Sequence, residues 1–177
     1  MHATPATVTR DFMQQAWVVA DLDKAMFAWV RRCGVGPFFV AEHVPMEQLV
    51  YRGSPVAVDC TIALAQSGRT QIELIVQHSH GPSIYRDLIP EGRSGFHHLA
   101  VLCKDYQHDL EQYQATGCAV AMTGVFVGMR FAYVDCCDAL GCVIELIEDK
   151  PFIREHFEMI ARAAKDWDGS SPIRPAF

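Results

Sequence analysis

Two copies of the tetrapeptide Ile-Glu-Leu-Ile place Glu73 and Glu145 between apolar neighbours, and Gln14 and His98 likewise lie within apolar runs. Burying a carboxylate in an apolar strand is costly unless something positive pairs with it, and no Lys or Arg lies in these four runs. An amide oxygen, an imidazole nitrogen and two carboxylates can bind a divalent cation and leave positions for water or substrate. We therefore predict a metal site formed by these four residues.

An internal repeat relates the four candidates in pairs. The same spacing of 84 residues separates Gln14 from His98 and Asp21 from Asp105, the predicted N-caps of two helices. The Ile-Glu-Leu-Ile copies are 72 residues apart, so the two glutamates also correspond. Two such modules related by a pseudo-twofold axis would bring the four side chains together on one sheet face.

Strand alternation sets which side chains share that face. His97, next to the predicted ligand His98, should face the opposite side, which indicates a structural residue. An error of one residue in the register would place Gln15, rather than Gln14, at the metal.

The elements that must position these residues follow the order β-α-β-β-β twice. Each module begins with a short apolar strand, continues with a helix capped by aspartate, and ends with three strands. We predict an α+β protein with two tandem βαβββ modules forming a cupped mixed β-sheet and a C-terminal helix. The parts of this single domain, residues 1–177, are module one at about 12–76, a linker at 77–95, module two at about 96–148, and a helix with a tail at 151–177. Residues 45–55 are predicted as a turn region.

Composition excludes several classes of protein. The net charge is −6, and no basic cluster is longer than Arg31-Arg32, so nucleic acid and anionic membranes are not expected partners. No apolar stretch is long enough to span a membrane.

The seven cysteines, an odd number, and a start without signal-peptide features indicate a cytoplasmic protein with reduced thiols. A zinc site at Cys136, Cys137 and Cys142 would lack the usual ligand spacing. Only 20% of the residues are charged, which favours a buried partner surface and hence a homodimer.

Four stretches resemble the vicinal oxygen chelate superfamily, which holds glyoxalase I, methylmalonyl-CoA epimerase, extradiol dioxygenases and bleomycin-resistance proteins. They are Gln14–Trp29, Gly95–Asp105 and the two Ile-Glu-Leu-Ile strands. The resemblance implies paired βαβββ modules cupped around one divalent metal ion, usually in a dimer, with ligands at Gln14, Glu73, His98 and Glu145. The Gly-Phe-His-His-Leu-Ala segment is most similar to the epimerase branch. The ligand identities are more similar to animal-type glyoxalase I, because epimerases usually have His first and Gln second.

The chemistry implied is proton transfer next to a metal-bound carbonyl, as in an isomerase, an epimerase or a glyoxalase-type lyase. Glu145 or Glu73 would act as the base, and Glu47 is the second candidate because epimerases have a glutamate base in a similar stretch. Zn, Ni, Co, Mn, Fe and Mg all accept such ligands, so the metal stays open. A non-catalytic protein of the bleomycin-resistance type is the alternative. A ring-cleaving dioxygenase is less favoured, because such enzymes use two histidines and Gln14 replaces the first.

The expected substrate is a small-molecule carbonyl compound or an acyl thioester. Arginines in or near loops could bind a carboxylate or phosphate on it. Arg130, in a glycine-containing loop near the predicted cup, is the best candidate, and Arg52 is another.

Overall fold

The computed structural model describes residues 10–176, and these form one mixed sheet of eleven strands with five helices. The strands are β1 (Phe12–Val18), β2 (Phe38–Ala41), β3 (Met46–Tyr51), β4 (Ser54–Pro55), β5 (Cys60–Ser67), β6 (Thr70–Gln77), β7 (Gly95–Cys103), β8 (Ala119–Phe126), β9 (Met129–Asp135), β10 (Val143–Glu148) and β11 (Ile173–Pro175). The helices are α1 (Leu22–Cys33), α2 (Ile84–Leu88), α3 (Tyr106–Ala115), α4 (Cys137–Leu140) and α5 (Pro151–Ala164).

The two predicted modules lie side by side, and the sheet order is β11-β2-β5-β6-β1-β7-β10-β9-β8-β3-β4. The first strands of the modules, β1 and β7, pair antiparallel at the centre, and each pairs on its other side with the last strand of its own module, in parallel. Asp21 and Asp105 cap α1 and α3 as predicted, because each carboxylate accepts a hydrogen bond from a backbone N–H three residues on. The predicted α+β fold with its cupped mixed sheet and C-terminal helix is confirmed.

The two faces of the sheet are covered by different helices. On the outer face α1 packs through Met26 against Leu74, and α3 packs through Tyr106 against Leu146. On the inner, concave face α5 contributes Ile153 to the main core cluster. Pro151 is the first residue of α5, where a backbone N–H has no partner within the helix, so proline loses no hydrogen bond there. Among the described residues, no helix combines the length and apolar character needed to cross a membrane.

Three segments differ from the sequence expectations. The predicted turn region 45–55 contains β3 and β4, and β3 pairs antiparallel with β8 of the other module. The predicted linker 77–95 contains α2, which Ser83 caps, and the predicted tail contains β11, which pairs with β2. β3 and β11 are held by partners far away in the chain, so local sequence patterns do not reveal them.

Candidate metal centre

Glu73, His98 and Glu145 converge in the buried centre of the sheet. His98 Nε2 lies 3.2 Å from Glu73 Oε2 and 3.2 Å from Glu145 Oε2. The His98 side chain is fully buried, and the two glutamates are 6% and 7% exposed. Among residues 10–176, this is the one group of three or more His, Cys, Asp or Glu side chains whose ligand atoms all lie within 4.8 Å. Cys136, Cys137 and Cys142 therefore do not form such a group.

Strand register explains why these residues meet. Ala16 pairs with Glu73 on one side and with His98 on the other, so these three residues form one row across the sheet. Ala100 lies between Gln14 and Glu145 in the neighbouring row. Residues paired in register present their side chains on the same face.

Both central positions are fully buried alanines. Their methyl groups leave open the space between the flanking polar side chains. A larger residue at either position would fill the space where those side chains converge.

Gln14 completes the predicted set of four. It is 2% exposed, and its Nε2 donates a 2.6 Å hydrogen bond to Oε1 of Gln71, its register partner on β6. This bond uses the amide nitrogen and leaves Gln14 Oε1 without a partner among the described residues. Only the oxygen of an amide can bind a metal ion in this neutral form, so Gln71 orients Gln14 as a ligand.

Unsatisfied polar atoms show that the donor set fits a divalent cation. Gln14 Oε1, Glu73 Oε2 and His98 Nε2 are all buried and make no hydrogen bond of good geometry within the described part of the chain. Such orphaned atoms are rare in native cores because each costs about 1–3 kcal/mol. Donors held ~2.1 Å from one ion lie about 3.0–3.4 Å from each other, which matches the 3.2 Å separations.

The pKa of His98 also reflects the two carboxylates. Burial opposes its protonation, but the adjacent Glu145 and Glu73 together outweigh burial and raise its pKa to about 9. Burial is the main cause that raises the pKa of Glu73. Without a metal ion, a proton on His98 therefore supplies the positive charge at this centre.

His97 contacts the nitrogen of His98 that faces away from the two glutamates. His97 Nδ1 lies 2.9 Å from His98 Nδ1, and His97 Nε2 lies 3.1 Å from the backbone oxygen of Ile84. The expectation that His97 faces away from His98 is wrong, because the β1–β7 register shifts at this point. Ala16 pairs with His98 while Trp17 pairs with Phe96, which leaves His97 as the extra residue of a β-bulge. A bulge breaks the alternation of faces and re-aims a side chain.

Two tyrosines lie beside the polar centre. Tyr133 is the register partner of Glu145, and its hydroxyl is 2.9 Å from the hydroxyl of Tyr85 on α2. Burial, and secondarily the carboxylate of Glu145, raises the pKa of Tyr133 well above its ordinary value, and burial does the same for Tyr85. Both hydroxyls are therefore neutral at physiological pH. Sequence reasoning missed Tyr85 because it belongs to the segment taken as a linker.

The cavity above this centre is bounded by the sheet and by α5. Gln14, Glu73, Glu145 and Tyr85 line one part, and apolar side chains from β2, β3, β5, β8, β9, β10 and α5 line most of the rest. We call this cavity the cup; its volume is about 110 Å³. From α5, Ile153, His156 and Phe157 reach it.

The other predicted site residues lie outside the cup. Glu47 on β3 is exposed, whereas its neighbour Met46 lines the cup. Arg52 binds Asp87, with Nη2 2.7 Å from Oδ2, and also contacts Asp135. The substrate roles of these residues stay predictions.

Arg130 is held on the outside of the sheet. Its Nη2 lies 2.8 Å from Glu148 Oε1, and its guanidinium lies 4.6 Å from the centre of the Tyr106 ring. Gln15, the alternative to Gln14, is on the other face of β1 and does not line the cup. The structure thus brings Gln14, Glu73, His98 and Glu145 together and leaves both arginines elsewhere.

Comparison with known protein families agrees with this geometry. Residues 13–133 match the model of the Glyoxalase/Bleomycin resistance protein/Dioxygenase superfamily. The chain belongs to this superfamily. The match includes Gln14, Glu73 and His98 but ends before Glu145 and α5.

Solved structures of other proteins share this fold. Methylmalonyl-CoA epimerase from Mycobacterium tuberculosis is 20% identical, with a TM-score of 0.53 over 87% of this chain and 97% of that chain. The hypothetical protein BH1468 from Bacillus halodurans C-125 is 17% identical, with a TM-score of 0.54 over 81% of this chain and 96% of its own. A methylmalonyl-CoA epimerase in complex with methylmalonyl-CoA and NH4+ is 15% identical, with a TM-score of 0.51 over 80% and 96%. No curated protein sequence matches this chain.

Proposed function

We propose that this member of the superfamily is a metal-dependent enzyme that catalyses proton transfer next to a carbonyl group, as an isomerase, an epimerase or a glyoxalase-type lyase. The observation that carries the proposal is the convergence of Gln14 Oε1, Glu73 Oε2 and His98 Nε2 beside Glu145. Within residues 10–176 these three buried atoms make no hydrogen bond of good geometry. These four residues would hold one divalent ion. When bound, the ion would supply Lewis-acid stabilisation of negative charge developing on a carbonyl oxygen.

The chain's own groups would bind, orient and move the proton. Glu73 and Glu145 both line the cup, so either carboxylate can take a proton from the carbon beside the carbonyl and return it. Gln14 and His98 are neutral donors and stay in place while the carboxylates change their protonation. The apolar side chains that line most of the cup would limit the access of bulk water to the reacting pair. Glu47 remains the second candidate for the base.

The ligand charges favour this chemistry over the alternatives. Two glutamates balance a divalent ion, whereas a ring-cleaving dioxygenase uses two histidines and one carboxylate. A binding protein of the bleomycin-resistance type is the alternative, and it has no need for a buried cluster of unsatisfied donors. We also retain the homodimer as a proposal, which light scattering of the purified protein tests.

The test has two stages. We expect purified protein to contain about one divalent ion per chain by elemental analysis. We then expect metal-dependent deuterium uptake from heavy water into carbonyl substrates that carry an adjacent C–H, followed by NMR. Metal at full occupancy without exchange in any α-hydroxyketone, 2-oxo acid or acyl thioester would favour the binding protein.

A further inference from the structure

The cup separates polar from apolar surface along its length. Its polar side chains come from the metal centre, from Tyr85 and Tyr133 beside it, and from His156 on α5. The remaining lining includes Ile62 and Leu64 on β5, Phe131 on β9 and Phe157 on α5. A molecule that fills the cup must therefore have its oxygens at one end and an apolar body at the other.

No Lys or Arg lines the cup within residues 10–176. The arginines expected to bind substrate are paired elsewhere, Arg52 with Asp87 and Arg130 with Glu148. Glu73 and Glu145 already balance a divalent ion, so the centre offers no surplus positive charge. His156 also lines the cup, but burial lowers its pKa, so its imidazole is neutral at physiological pH. A carboxylate or phosphate on the body of the substrate would then lie in largely apolar surroundings without a cationic partner among the described residues, which is strongly unfavourable.

The size of the cup limits the apolar body. Its volume is about 110 Å³, which is smaller than the dry apolar cavity of roughly 150 Å³ that binds benzene. The side chains of α5 lie on the inner face over it, so the body cannot extend in that direction without moving the helix. A short branched chain fits this space, whereas an aromatic ring would need a larger one.

The tyrosine pair offers one further hydrogen bond at the polar end. Tyr85 and Tyr133 share one hydroxyl–hydroxyl bond, which uses one of their two hydrogens. The hydrogen bonds of the described residues give the second hydrogen no other acceptor. It can be donated to an oxygen of a bound molecule, next to the carboxylates.

We propose that the cup accepts uncharged compounds with two neighbouring oxygens and one short branched apolar group, the class of small branched aliphatic α-hydroxyketones. The inference deepens the proposed function and rests on it for the position of the oxygens. The preference for a substrate whose apolar part carries no charge is argued from the lining of the cup.

A matched pair of ligands tests the charge preference. 5-Hydroxy-4-oxopentanoate and its analogue with an isopropyl group in place of the carboxylate share the same hydroxyketone end and nearly the same shape. We expect the isopropyl compound and 1-hydroxy-3-methylbutan-2-one to bind the manganese-loaded protein about 30-fold or more tightly than the carboxylate in calorimetry. Equal or tighter binding of the carboxylate, or no binding of the neutral compounds, would overturn the inference.

A substitution in the cup tests whether its lining causes the preference. Ile62 faces the cup and is partly exposed, so a longer polar side chain can be accommodated there. Ile62→Arg should reverse the order and favour the carboxylate, whereas Ile62→Gln, polar but uncharged, should not. Unchanged preference in Ile62→Arg with intact metal content would show that the substrate body lies elsewhere.

Deuterium exchange separates this inference from the proposed function. Tight binding of the neutral compounds without metal-dependent exchange would support the substrate class and contradict the enzyme function. Metal-dependent exchange that is as fast with the carboxylate as with its isopropyl analogue would support the enzyme function and contradict the substrate class.

Discussion

His97 Nδ1 accepts a hydrogen bond from His98 Nδ1 across 2.9 Å. The direction follows from the other end of His97, where Nε2 lies 3.1 Å from the oxygen of Ile84, which can only accept. Burial, followed by the charge of His98, lowers the pKa of His97 to about 3, so this ring is neutral and carries its one hydrogen on Nε2. His98 therefore keeps its hydrogen on Nδ1, and its Nε2 faces the two glutamates as a metal ligand.

The first prediction concerns this contact. His97→Phe removes the acceptor for His98 and should weaken metal affinity about 10–100-fold, measured by competition with a chelator. His97→Asn places an amide oxygen near the position of Nδ1 and should recover most of that affinity. Thermal unfolding of the metal-free variants provides the control. Equal metal affinity in both variants would show that His97 only fills space.

The second prediction concerns the carboxylate ligands. Glu145→Ala should lose the metal and still fold, since the substitution also removes a buried charge. Glu148→Ala is the matched control, because Glu148 is on the same strand but binds Arg130 outside the cup. Elemental analysis after gel filtration gives the occupancy. Full metal occupancy in Glu145→Ala would exclude this residue as a ligand.

The third prediction follows from the pKa of His98, which is raised to about 9 in the metal-free protein. A metal ion must displace this proton, so metal affinity should increase with pH until about 9, with release of about one proton per ion at neutral pH. Calorimetry in buffers of different ionisation enthalpy measures the release. Binding that is independent of pH between 6 and 9 would contradict it.

The stability of the metal-free protein should depend on pH in the opposite direction to the metal affinity. A group whose pKa is higher in the folded state stabilises that state fully below its unfolded value, near 6.5, and this stabilisation is lost as the pH rises through about 9. The melting temperature of metal-free protein should therefore fall over that interval. His98→Gln, which has no such proton, should lose this pH dependence.

The fourth prediction concerns Gln71, which holds the amide of Gln14 through a 2.6 Å bond. Gln71→Leu removes the acceptor, so Gln14 can rotate and metal affinity should fall about tenfold. Gln66→Leu is the control, because Gln66 is the partner of Gln71 on β5 and bonds only Gly68 locally. Equal effects of the two substitutions would show that Gln71 does not orient the ligand.

The fifth prediction tests whether Arg130 has a structural role or binds substrate. Its hydrogen bond lowers the pKa of Glu148 to about 2. The resulting stabilisation is present above the ordinary value of 4.5 and is lost as the pH falls towards 2. Arg130 is half exposed, so Arg130→Gln should cost less than about 1 kcal/mol at neutral pH. A large increase in KM in this variant would instead support the predicted substrate role.

The sequence alone was enough to predict the modules and the set of four converging residues. Each module carries its own strand alternation, and the repeat shows which positions correspond, so Gln14 matches His98 and Glu73 matches Glu145 without knowledge of the fold. Apolar neighbours around each polar residue also predict that it is buried. These are local properties, and the register of β1, β6, β7 and β10 agrees with them.

The surroundings of these residues were decided by tertiary structure. The bulge that turns His97 towards His98 depends on how β1 and β7 pair, and Tyr85 reaches the cup through a helix in the predicted linker. The ion pairs that hold Arg52 and Arg130 outside the cup join residues distant in sequence or on neighbouring strands. Alternation and spacing determine which face a side chain takes within one strand. Contacts between distant segments are set by the free energy of the whole chain, so only the folded structure shows what surrounds the four candidate ligands.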